Sequence, residues 1–255
     1  AGFQVSVLEG GYKAFRRWAM AAVQEVKPIL ILGGMTGTGK TDILTALAAQ
    51  GEQVLDLEHL AKHRGSSYGA LGLPPQPSNE QFENRVGLRW AKMDRDRPIW
   101  IEAESKRIGL CRIPEPLVQQ MEQAPILEIE RAHRERLDLL VKHYGIFERQ
   151  ELIVATDRIR KRLGGLRTDE AIALLQAGQL AEAFDIVLSY YDKTYRYDLE
   201  RRSVPRQSVD VSGLSPEAAA ELLRARSLYF CPAFPSTSSC NDSGNKLMFI
   251  ADLTK

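Results

Sequence analysis

Short apolar runs alternate with helical patterns through the first half of the chain. The four apolar runs are residues 29–32, 54–57, 98–101 and 125–129. The first of them, residues 29–32, is apolar throughout, as is typical of a strand that is buried on both faces of a parallel sheet. The segments between them predict helices over 42–50 and 80–93, and a Gly-, Ser- and Pro-rich loop over 64–79. We therefore predict an α/β domain over residues 27–130, with helices on both faces of the sheet.

The second half of the chain changes to helical periodicity. Its apolar positions follow a 3.6-residue spacing through residues 137–144, 171–175 and 180–191. We predict a helical subdomain over residues 131–226, with a further helix at 215–226. Residues 227–255 lack a periodic pattern and are predicted to form a disordered tail.

The first 26 residues predict one strand and one helix. Phe3, Val5 and Val7 alternate with smaller or polar neighbours, and a helical pattern runs from Tyr12 to about Val26. A lone strand leaves its backbone donors and acceptors unpaired, so these two elements cannot form a domain. Residues 1–26 are therefore expected to be the end of a domain whose body lies upstream.

Composition and charge are those of an ordinary globular protein. The 255 residues include 34 basic and 33 acidic side chains, and 44% are hydrophobic. No apolar run approaches the roughly 18–20 residues that cross a bilayer, and no basic-then-apolar leader opens the chain. We expect a cytoplasmic protein without a membrane partner. Cys111, Cys231 and Cys240 are scattered, which indicates neither a disulfide framework nor a cysteine zinc site.

A glycine-rich phosphate-binding motif follows the first apolar run. It matches G-x-x-x-x-G-K-[ST] in full and consists of Gly34, Met35, Thr36, Gly37, Thr38, Gly39, Lys40 and Thr41. In this motif backbone N–H groups point at phosphate oxygens, and the following helix adds its partial positive charge. Lys40 is expected to reach the terminal phosphate, and Thr41 to offer its hydroxyl to Mg²⁺. The motif predicts a P-loop NTPase-like fold and leaves open ATP, GTP, a phosphorylated metabolite or a prenyl diphosphate.

Carboxylates follow two of the predicted strands. Glu102 and Glu104 come directly after the run 98–101, and Asp56 lies at the end of the run 54–57. The carboxyl ends of parallel strands face the ligand crevice, where an acid can hold Mg²⁺ through water or orient a nucleophile. We predict catalytic roles for Lys40 and these three acids. Ser105 and Arg107 are further candidates for the substrate site.

A second group of candidates follows Asp56. His59 and His63 are four residues apart, so on one helix they would share a face and could bind zinc. No third ligand is evident nearby, and we interpret the pair as surface or substrate contacts. Arg64 and Ser66 complete this group of substrate-site candidates.

Basic residues concentrate in the helical half. The candidates for contact with nucleic acid are Arg131, Arg134, Arg158, Arg160, Lys161, Arg162 and Arg167. A local excess of cations within a neutral chain suits a phosphate backbone, although a solvated helix face is an equal alternative. The tyrosines with which bases could stack are Tyr190, Tyr191, Tyr195 and Tyr197, at a spacing that also suits core packing.

Three long motifs carry a family resemblance. They are the phosphate loop with the glycine before it, the run LDLEHLAKHRGS at 55–66 and the run IEAESKRIG at 101–109. Together they resemble the bacterial tRNA 2-selenouridine synthases. The run LEGGYKA at 8–14 resembles the end of the rhodanese domain that precedes the P-loop domain in that family, so that residues 1–26 are interpreted as its remnant.

The resemblance implies a tRNA-modifying transferase. Its family replaces sulfur by selenium at the 2-position of the wobble uridine, through an S-geranylated intermediate, with geranyl diphosphate and selenophosphate as substrates. It implies that residues 34–41 hold a diphosphate and that ATP is not required. The family's rhodanese cysteine would lie upstream of Ala1, so the chain is expected to be a fragment that lacks this thiol. Which tRNAs are bound, and the oligomeric state, stay open.

Two other functions remain as alternatives. The chain could be a small-molecule or nucleoside kinase, in which Asp56 or Glu102 orients the acceptor hydroxyl and Arg131 clamps phosphate. Rapid ATP turnover without RNA would favour this reading. The other is a non-catalytic RNA-binding module. This alternative would be favoured if the loss of Lys40 left tRNA binding unchanged.

Overall fold

A parallel sheet organises residues 7–230, the part of the chain that the computed structural model describes. Its strands are β1 (Ile29–Gly34), β2 (Gln53–Leu55), β3 (Ile99–Glu102), β6 (Ile126–Glu130) and β7 (Arg206–Asp210). The order across the sheet is β2-β3-β1-β6-β7. A separate antiparallel hairpin pairs β4 (Arg107–Ile108) with β5 (Cys111–Arg112). The predicted α/β fold with a parallel sheet is confirmed.

Helices cover both faces of this sheet. Those of the sheet domain are α1 (Gly11–Ala22), α2 (Lys40–Ala49), α3 (Leu57–Ala61), α4 (Asn79–Lys92), α5 (Glu115–Gln123) and α11 (Pro216–Phe230). Successive residues of a strand point to opposite faces. Ile29 and Ile31 of β1 therefore pack in one core with α1, α4 and α5, whereas Leu30 and Leu32 pack in the other with α2 and α11.

The helical region is inserted between β6 and β7. It consists of α6 (His133–Tyr144), α7 (Arg149–Asp157), α8 (Arg160–Leu163), α9 (Gly165–Ala177) and α10 (Leu180–Glu200). It has a core of its own, in which Leu140, Leu152 and Phe184 are buried. This agrees with the helical periodicity that the sequence shows from residue 137 onwards.

The chain returns to the sheet after α10, which the sequence prediction of a helical subdomain to residue 226 did not include. β7 pairs in parallel with β6, with Ile126 opposite Arg206 and Glu130 opposite Asp210. The strand was missed because it lies at the sheet edge and Val209 is its one buried residue. α11 then packs against α2 on the sheet face.

Helix α1 docks onto the sheet domain. It packs along α4, where Arg16 Nη1 donates to Asn84 Oδ1 at 2.9 Å, and the buried Ala19 lies close enough to Gly87 that a side chain there would collide with it. The predicted strand at Phe3 and Val5 lies outside the described residues, as do residues 231–255 of the predicted tail with its cysteines. Residues 227–230, which the sequence assigns to that tail, instead form the end of α11. None of the helices between residues 7 and 230 is both long enough and apolar enough to cross a membrane.

Candidate phosphate-binding site

The phosphate loop, residues 34–41, connects the buried β1 to the first turn of α2. Gly39 is the N-cap of α2 and has φ of +87°, a left-handed conformation that a side chain would strain. Thr38 Oγ1 donates to the carbonyl of Met35 at 2.8 Å, which closes the loop on itself. The loop therefore presents the N-terminus of a ten-residue helix to the carboxyl edge of the sheet.

Lys40 bridges the loop and the neighbouring strand. Its Nζ donates to the carbonyl oxygens of Gly34 and Met35 at 2.6 and 3.2 Å, and lies 3.8 Å from Glu102 Oε1. Glu102 reaches this position because Leu32 of β1 is paired with Glu102 in the register of β3. The structure thus brings together Lys40 and one predicted carboxylate.

Two arginines hold the outer side of the phosphate loop. Arg131 Nε donates to the carbonyl of Thr38 at 3.0 Å, and Arg136 Nε donates to that of Thr36 at 2.9 Å. The Arg131 side chain is only 8% exposed and also bonds Glu135 and the carbonyl of Leu214. This corrects the prediction of Arg131 as an RNA contact, because its donors are used within the fold.

Tyr195 of α10 contacts the first residue of the loop. Its hydroxyl accepts the backbone N–H of Gly34 at 2.7 Å and is hydrogen-bonded to Glu128 on β6. Burial raises the pKa of both Tyr195 and Glu128, so the phenol stays protonated at neutral pH. Tyr195 is thus a partner of the loop backbone rather than a platform for bases.

Three buried or half-buried carboxylates meet beside Lys40. One oxygen each of Glu58, Glu102 and Glu104 lies within 4.8 Å of the others, and we call these residues the carboxylate cluster. Gly65 packs directly against it with φ of +68°, where a Cβ atom would lie 2.8 Å from Glu104 Oε1. A glycine is therefore required for the chain to pass this close to the acids.

The carboxylate cluster holds protons at neutral pH. Burial, followed by the charge of Glu102, raises the pKa of Glu58 to about 10 and that of Glu104 to about 8. Burial also raises the pKa of Glu102, although the nearby Lys40 opposes this shift. Like charges at this separation cannot all ionise, so Glu58 and Glu104 both hold protons at neutral pH, and Glu58 hydrogen-bonds Glu104.

The donor set of the cluster suits a divalent cation that prefers oxygen. Thr41 Oγ1 lies 3.4 Å from Glu58 Oε2, so that the loop hydroxyl and the carboxylate oxygens face the same small volume. Mg²⁺ is bound by one or two carboxylates together with substrate phosphates. The residues present therefore fit Mg²⁺, with Thr41, Glu58 and Glu102 as the nearest donors.

Asp56 lies close enough to the carboxylate cluster for its charge to act on Glu58 and Glu102, whereas the two histidines lie apart from each other. Asp56 is the N-cap of α3, and its Oδ1 accepts the backbone N–H of His59 at 2.8 Å. α3 ends at Ala61, and Lys62 adopts a left-handed conformation with φ of +53°. His59 is therefore exposed on α3, whereas His63 lies beyond the helix, and the pair does not share a face.

The 63–69 loop forms one wall of the site. His63 packs between Gly69 and Gly109, and burial lowers its pKa. Arg64 Nη1 donates to the carbonyl of Leu71, and Ser66 Oγ accepts the N–H of Tyr68. These candidates shape the loop that covers the carboxylate cluster.

The remaining substrate-site candidates lie on the other side of the cluster. Ser105 Oγ donates to the carbonyl of Arg107 at 2.7 Å, which starts the β4–β5 hairpin. Arg107 itself is exposed on β4, and the structure does not bring it to the phosphate loop. Burial raises the pKa of the Cys111 thiol in the same hairpin.

A basic surface lies next to the 63–69 loop, formed by Arg158, Lys161, Arg162 and Arg167, all exposed. Arg162 Nη1 is 3.5 Å from the Tyr190 hydroxyl, and the charge of Arg158 acts on His63. Arg160 differs from its neighbours because Asp157 and Asp169 both pair with it at 2.7 Å. Arg134 is exposed on α6, apart from this surface.

Sequence reasoning named the loop, Lys40, Glu102 and Glu104 but gave no role to several residues of the site. Glu58 is hidden one residue inside α3, and the signal that could have found it is its place in the motif 55–66. Arg136 comes from a helix whose relation to the loop depends on tertiary packing, and no local pattern marks it. Tyr191 and Tyr195 are named from the sequence as candidates for base stacking, and the structure shows them bonded to the two loops.

Comparison with known proteins agrees with this geometry. The family model of the tRNA 2-selenouridine synthase AAA domain matches residues 27–225. The tRNA 2-selenouridine synthase of Marinobacter nauticus is 36% identical over 260 aligned positions, which cover 89% of this chain and 68% of that protein. That of Salmonella arizonae is 34% identical over 236 positions, covering 79% of this chain and 64% of the relative. The chain thus spans about two thirds of the length of these relatives.

Among solved structures, an uncharacterised protein from Eubacterium ventriosum covers 79% of this chain and 98% of its own. Its TM-score is 0.35 at 12% identity, too distant to bear on fold or function.

Proposed function

Because the chain belongs to the tRNA 2-selenouridine synthase family, we propose that it binds the donor and the tRNA in the exchange of sulfur for selenium on a wobble uridine. The phosphate loop holds the diphosphate of a geranyl donor, and the helical region holds the tRNA. The observation that carries this proposal is the phosphate loop itself, which is complete and lies beside a carboxylate cluster in a chain of this family. Because tRNA is the proposed substrate, we also propose a cytoplasmic location.

The loop supports departure of a diphosphate. In the proposed first step, the sulfur of 2-thiouridine attacks the first geranyl carbon, the bond from that carbon to the diphosphate oxygen breaks, diphosphate leaves, and the N3 proton of the base passes to water. Lys40 and the backbone N–H groups at the start of α2 stabilise the charge that develops on the departing oxygens. A soft sulfur nucleophile needs little activation, so the step requires no strong general base.

Mg²⁺ is the proposed metal of this site. When bound, it supplies charge neutralisation to the diphosphate. Thr41, Glu58 and Glu102 are the residues that would hold it, and the proton on Glu58 would leave as the ion binds. Selenophosphate, the proposed second donor, also carries a phosphate group that this loop suits. ATP has no role in the proposed reaction.

The tRNA lies on the basic surface in this proposal. Arg158, Lys161, Arg162 and Arg167 are exposed, and the charge of Arg158 acts on His63 of the 63–69 loop, which in turn covers the carboxylate cluster. Contacts of cations with the RNA backbone fix its register, and the base then enters beside the loop. The kinase alternative keeps Asp56 and Glu102 near the loop, but its proposed phosphate clamp, Arg131, donates to the carbonyl of Thr38 instead.

A single-turnover assay tests the proposed reaction. The full chain is mixed with tRNA that carries 2-thiouridine, geranyl diphosphate and Mg²⁺, and the digested nucleosides are analysed by mass spectrometry. We expect S-geranylated thiouridine with the unchanged chain and none with Lys40→Ala. ADP formation from ATP with a small-molecule acceptor, and no geranylated nucleoside, would instead establish the kinase.

A further inference from the structure

Helix α10 runs along the candidate site and contacts both of its loops from one face. Tyr191 and Tyr195 are four residues apart, so their side chains lie one helical turn, about 6 Å, from each other. The Tyr191 hydroxyl lies 2.8 Å from Ser67 Oγ and accepts the backbone N–H of Ser67 at 3.1 Å. The Tyr195 hydroxyl accepts the N–H of Gly34 at 2.7 Å.

We infer that α10 is a positioning element that sets the phosphate loop and the 63–69 loop relative to each other. Tyr195 fixes the first residue of the phosphate loop, and Tyr191 fixes the centre of the 63–69 loop. The inference rests on the proposed function in one respect, that the first loop holds the donor and the second receives the tRNA base. Tyr191 and Tyr195 are positioning residues, because they act through loop backbones and not on the reacting atoms.

The contact of Tyr195 is specific in its geometry. Its hydroxyl lies between the Gly34 amide, from which it accepts, and Glu128, to which it is hydrogen-bonded. A Cβ atom on Gly33 would lie 2.9 Å from the same oxygen, so the phenol is packed closely against the backbone. Loss of this hydroxyl would leave the Gly34 amide without its acceptor at the start of the loop.

The rest of α10 provides a rigid base for the two tyrosines. Phe184 and Leu188, on the preceding turns, are buried in the core of the helical region. Asp192, between the tyrosines, pairs with Arg136, which donates to the carbonyl of Thr36 in the middle of the phosphate loop. One helix therefore holds the phosphate loop at two points and the facing loop at a third.

This arrangement has a consequence for the reaction. A transfer between a donor on one loop and a base near another requires the reacting atoms to be held close and aligned, and a displacement of about 1 Å can cost a hundredfold in rate. Fixing both loops to one helix reduces the freedom of one relative to the other. Tyr195 is therefore expected to affect the binding of the donor, and Tyr191 the binding of the tRNA.

Three Tyr→Phe variants of the full chain test the inference. Tyr195→Phe and Tyr191→Phe each remove one hydroxyl and keep the ring. Tyr197→Phe is the matched control, since within residues 7–230 its hydroxyl makes no hydrogen bond, the residue is 60% exposed, and Phe keeps the ring that could stack with a base. Affinity for geranyl diphosphate and for Mg-ATP is measured by calorimetry, affinity for tRNA by filter binding, and the melting temperature by calorimetric scan.

We expect a split between the two substrates. Tyr195→Phe lowers the affinity for whichever diphosphate compound the unchanged chain binds by about three- to tenfold. It leaves the affinity for tRNA within about twofold of that of the unchanged chain. Tyr191→Phe weakens tRNA binding by a similar factor and leaves diphosphate affinity unchanged. Tyr197→Phe changes neither. Loss of both affinities in parallel with the melting temperature, in either variant, would show a merely structural role and overturn the inference.

The proposed function and this inference fail in different ways. If the unchanged chain binds Mg-ATP and not geranyl diphosphate, the donor assignment is wrong. Tyr195→Phe is still expected to lower the affinity for Mg-ATP in that case. If Tyr195→Phe binds geranyl diphosphate as tightly as the unchanged chain does, the donor assignment stands and the inference is wrong.

Discussion

The guanidinium group of Arg136 lies between Asp192 of α10 and the phosphate loop. Its Nη1 donates to Asp192 Oδ2 at 3.0 Å while its Nε donates to the carbonyl of Thr36 at 2.9 Å. The side chains of Arg136 and Asp192 are 6% and 17% exposed. The helical region and the phosphate loop are thus joined through a nearly buried ion pair.

Removal of the acid from this pair is expected to destabilise the protein. Asp192→Asn leaves the charge of Arg136 buried without its partner, which we expect to lower the free energy of unfolding by about 2–4 kcal/mol. Chemical denaturation monitored by circular dichroism measures this change. Asp198→Asn, on the exposed side of the same helix, serves as the control and is expected to stay within about 0.5 kcal/mol of the unchanged chain. Equal effects of the two substitutions would contradict the role of the pair.

The carboxylate cluster is expected to make stability fall as pH rises. The pKa values of Glu58 and Glu104, about 10 and about 8, lie above the ordinary value of 4.5 that applies to the unfolded chain. Between these values the folded state holds more protons than the unfolded state, so unfolding releases protons and becomes more favourable at higher pH. The free energy of unfolding begins to fall above about pH 5, by at most about 1.4 kcal/mol per pH unit for one group.

Glu58→Gln tests this pH dependence. The amide cannot ionise, so we expect the variant to be more stable than the unchanged chain at pH 8 and to show a smaller fall in melting temperature between pH 6 and pH 9. Glu221→Gln, at an exposed position on α11, is expected to leave the curve unchanged. A variant with the same slope as the unchanged chain would show that Glu58 does not carry the buried proton.

Magnesium is expected to relieve the repulsion within the cluster. Binding of Mg²⁺ to the folded state alone stabilises it by mass action, and at pH 8 we expect a rise in melting temperature of about 3–6 °C at tenfold excess over the dissociation constant. Glu102→Gln is expected to abolish the rise. NaCl at equal ionic strength separates binding from screening, and a rise of the same size with NaCl would contradict a magnesium site.

The basic surface is expected to set the salt dependence of RNA binding. Arg162→Ala removes one phosphate contact, so the slope of log affinity against log salt concentration is expected to fall in magnitude by about 1. Filter binding of tRNA between 50 and about 200 mM salt measures this slope. Arg89→Ala, exposed on α4, is the control. An unchanged slope for Arg162→Ala would place the RNA elsewhere on the protein.

The parts of the fold that the sequence predicted are those with local signals. The buried strands β1, β3 and β6 are apolar runs because both of their faces are covered, and the phosphate loop has a motif that fixes its backbone. β7 has no such run, because an edge strand with only Val209 buried looks polar in sequence. The return of the chain to the sheet after α10 therefore could not be predicted from the sequence.

The same distinction holds within the site. Glu102 follows a buried strand and was predicted to face the ligand, whereas Glu58 enters the cluster only because α3 turns it inward. From the sequence, Arg131 is a candidate for RNA contact because of its charge, and Tyr195 is a candidate for base stacking or core packing. Their hydrogen bonds to the loop depend on the packing of α6 and α10 over the sheet, which no spacing in the sequence records.

The identity of the phosphate ligand is the central question, and equilibrium binding by calorimetry addresses it most directly. Geranyl diphosphate and Mg-ATP are each titrated into the full chain, into Lys40→Ala and into the control Lys92→Ala, which is exposed at the end of α4. We expect geranyl diphosphate to bind far more tightly than Mg-ATP, with binding lost in Lys40→Ala and kept in Lys92→Ala. Tight binding of Mg-ATP together with no binding of geranyl diphosphate would contradict the assignment and identify the loop as a nucleotide site.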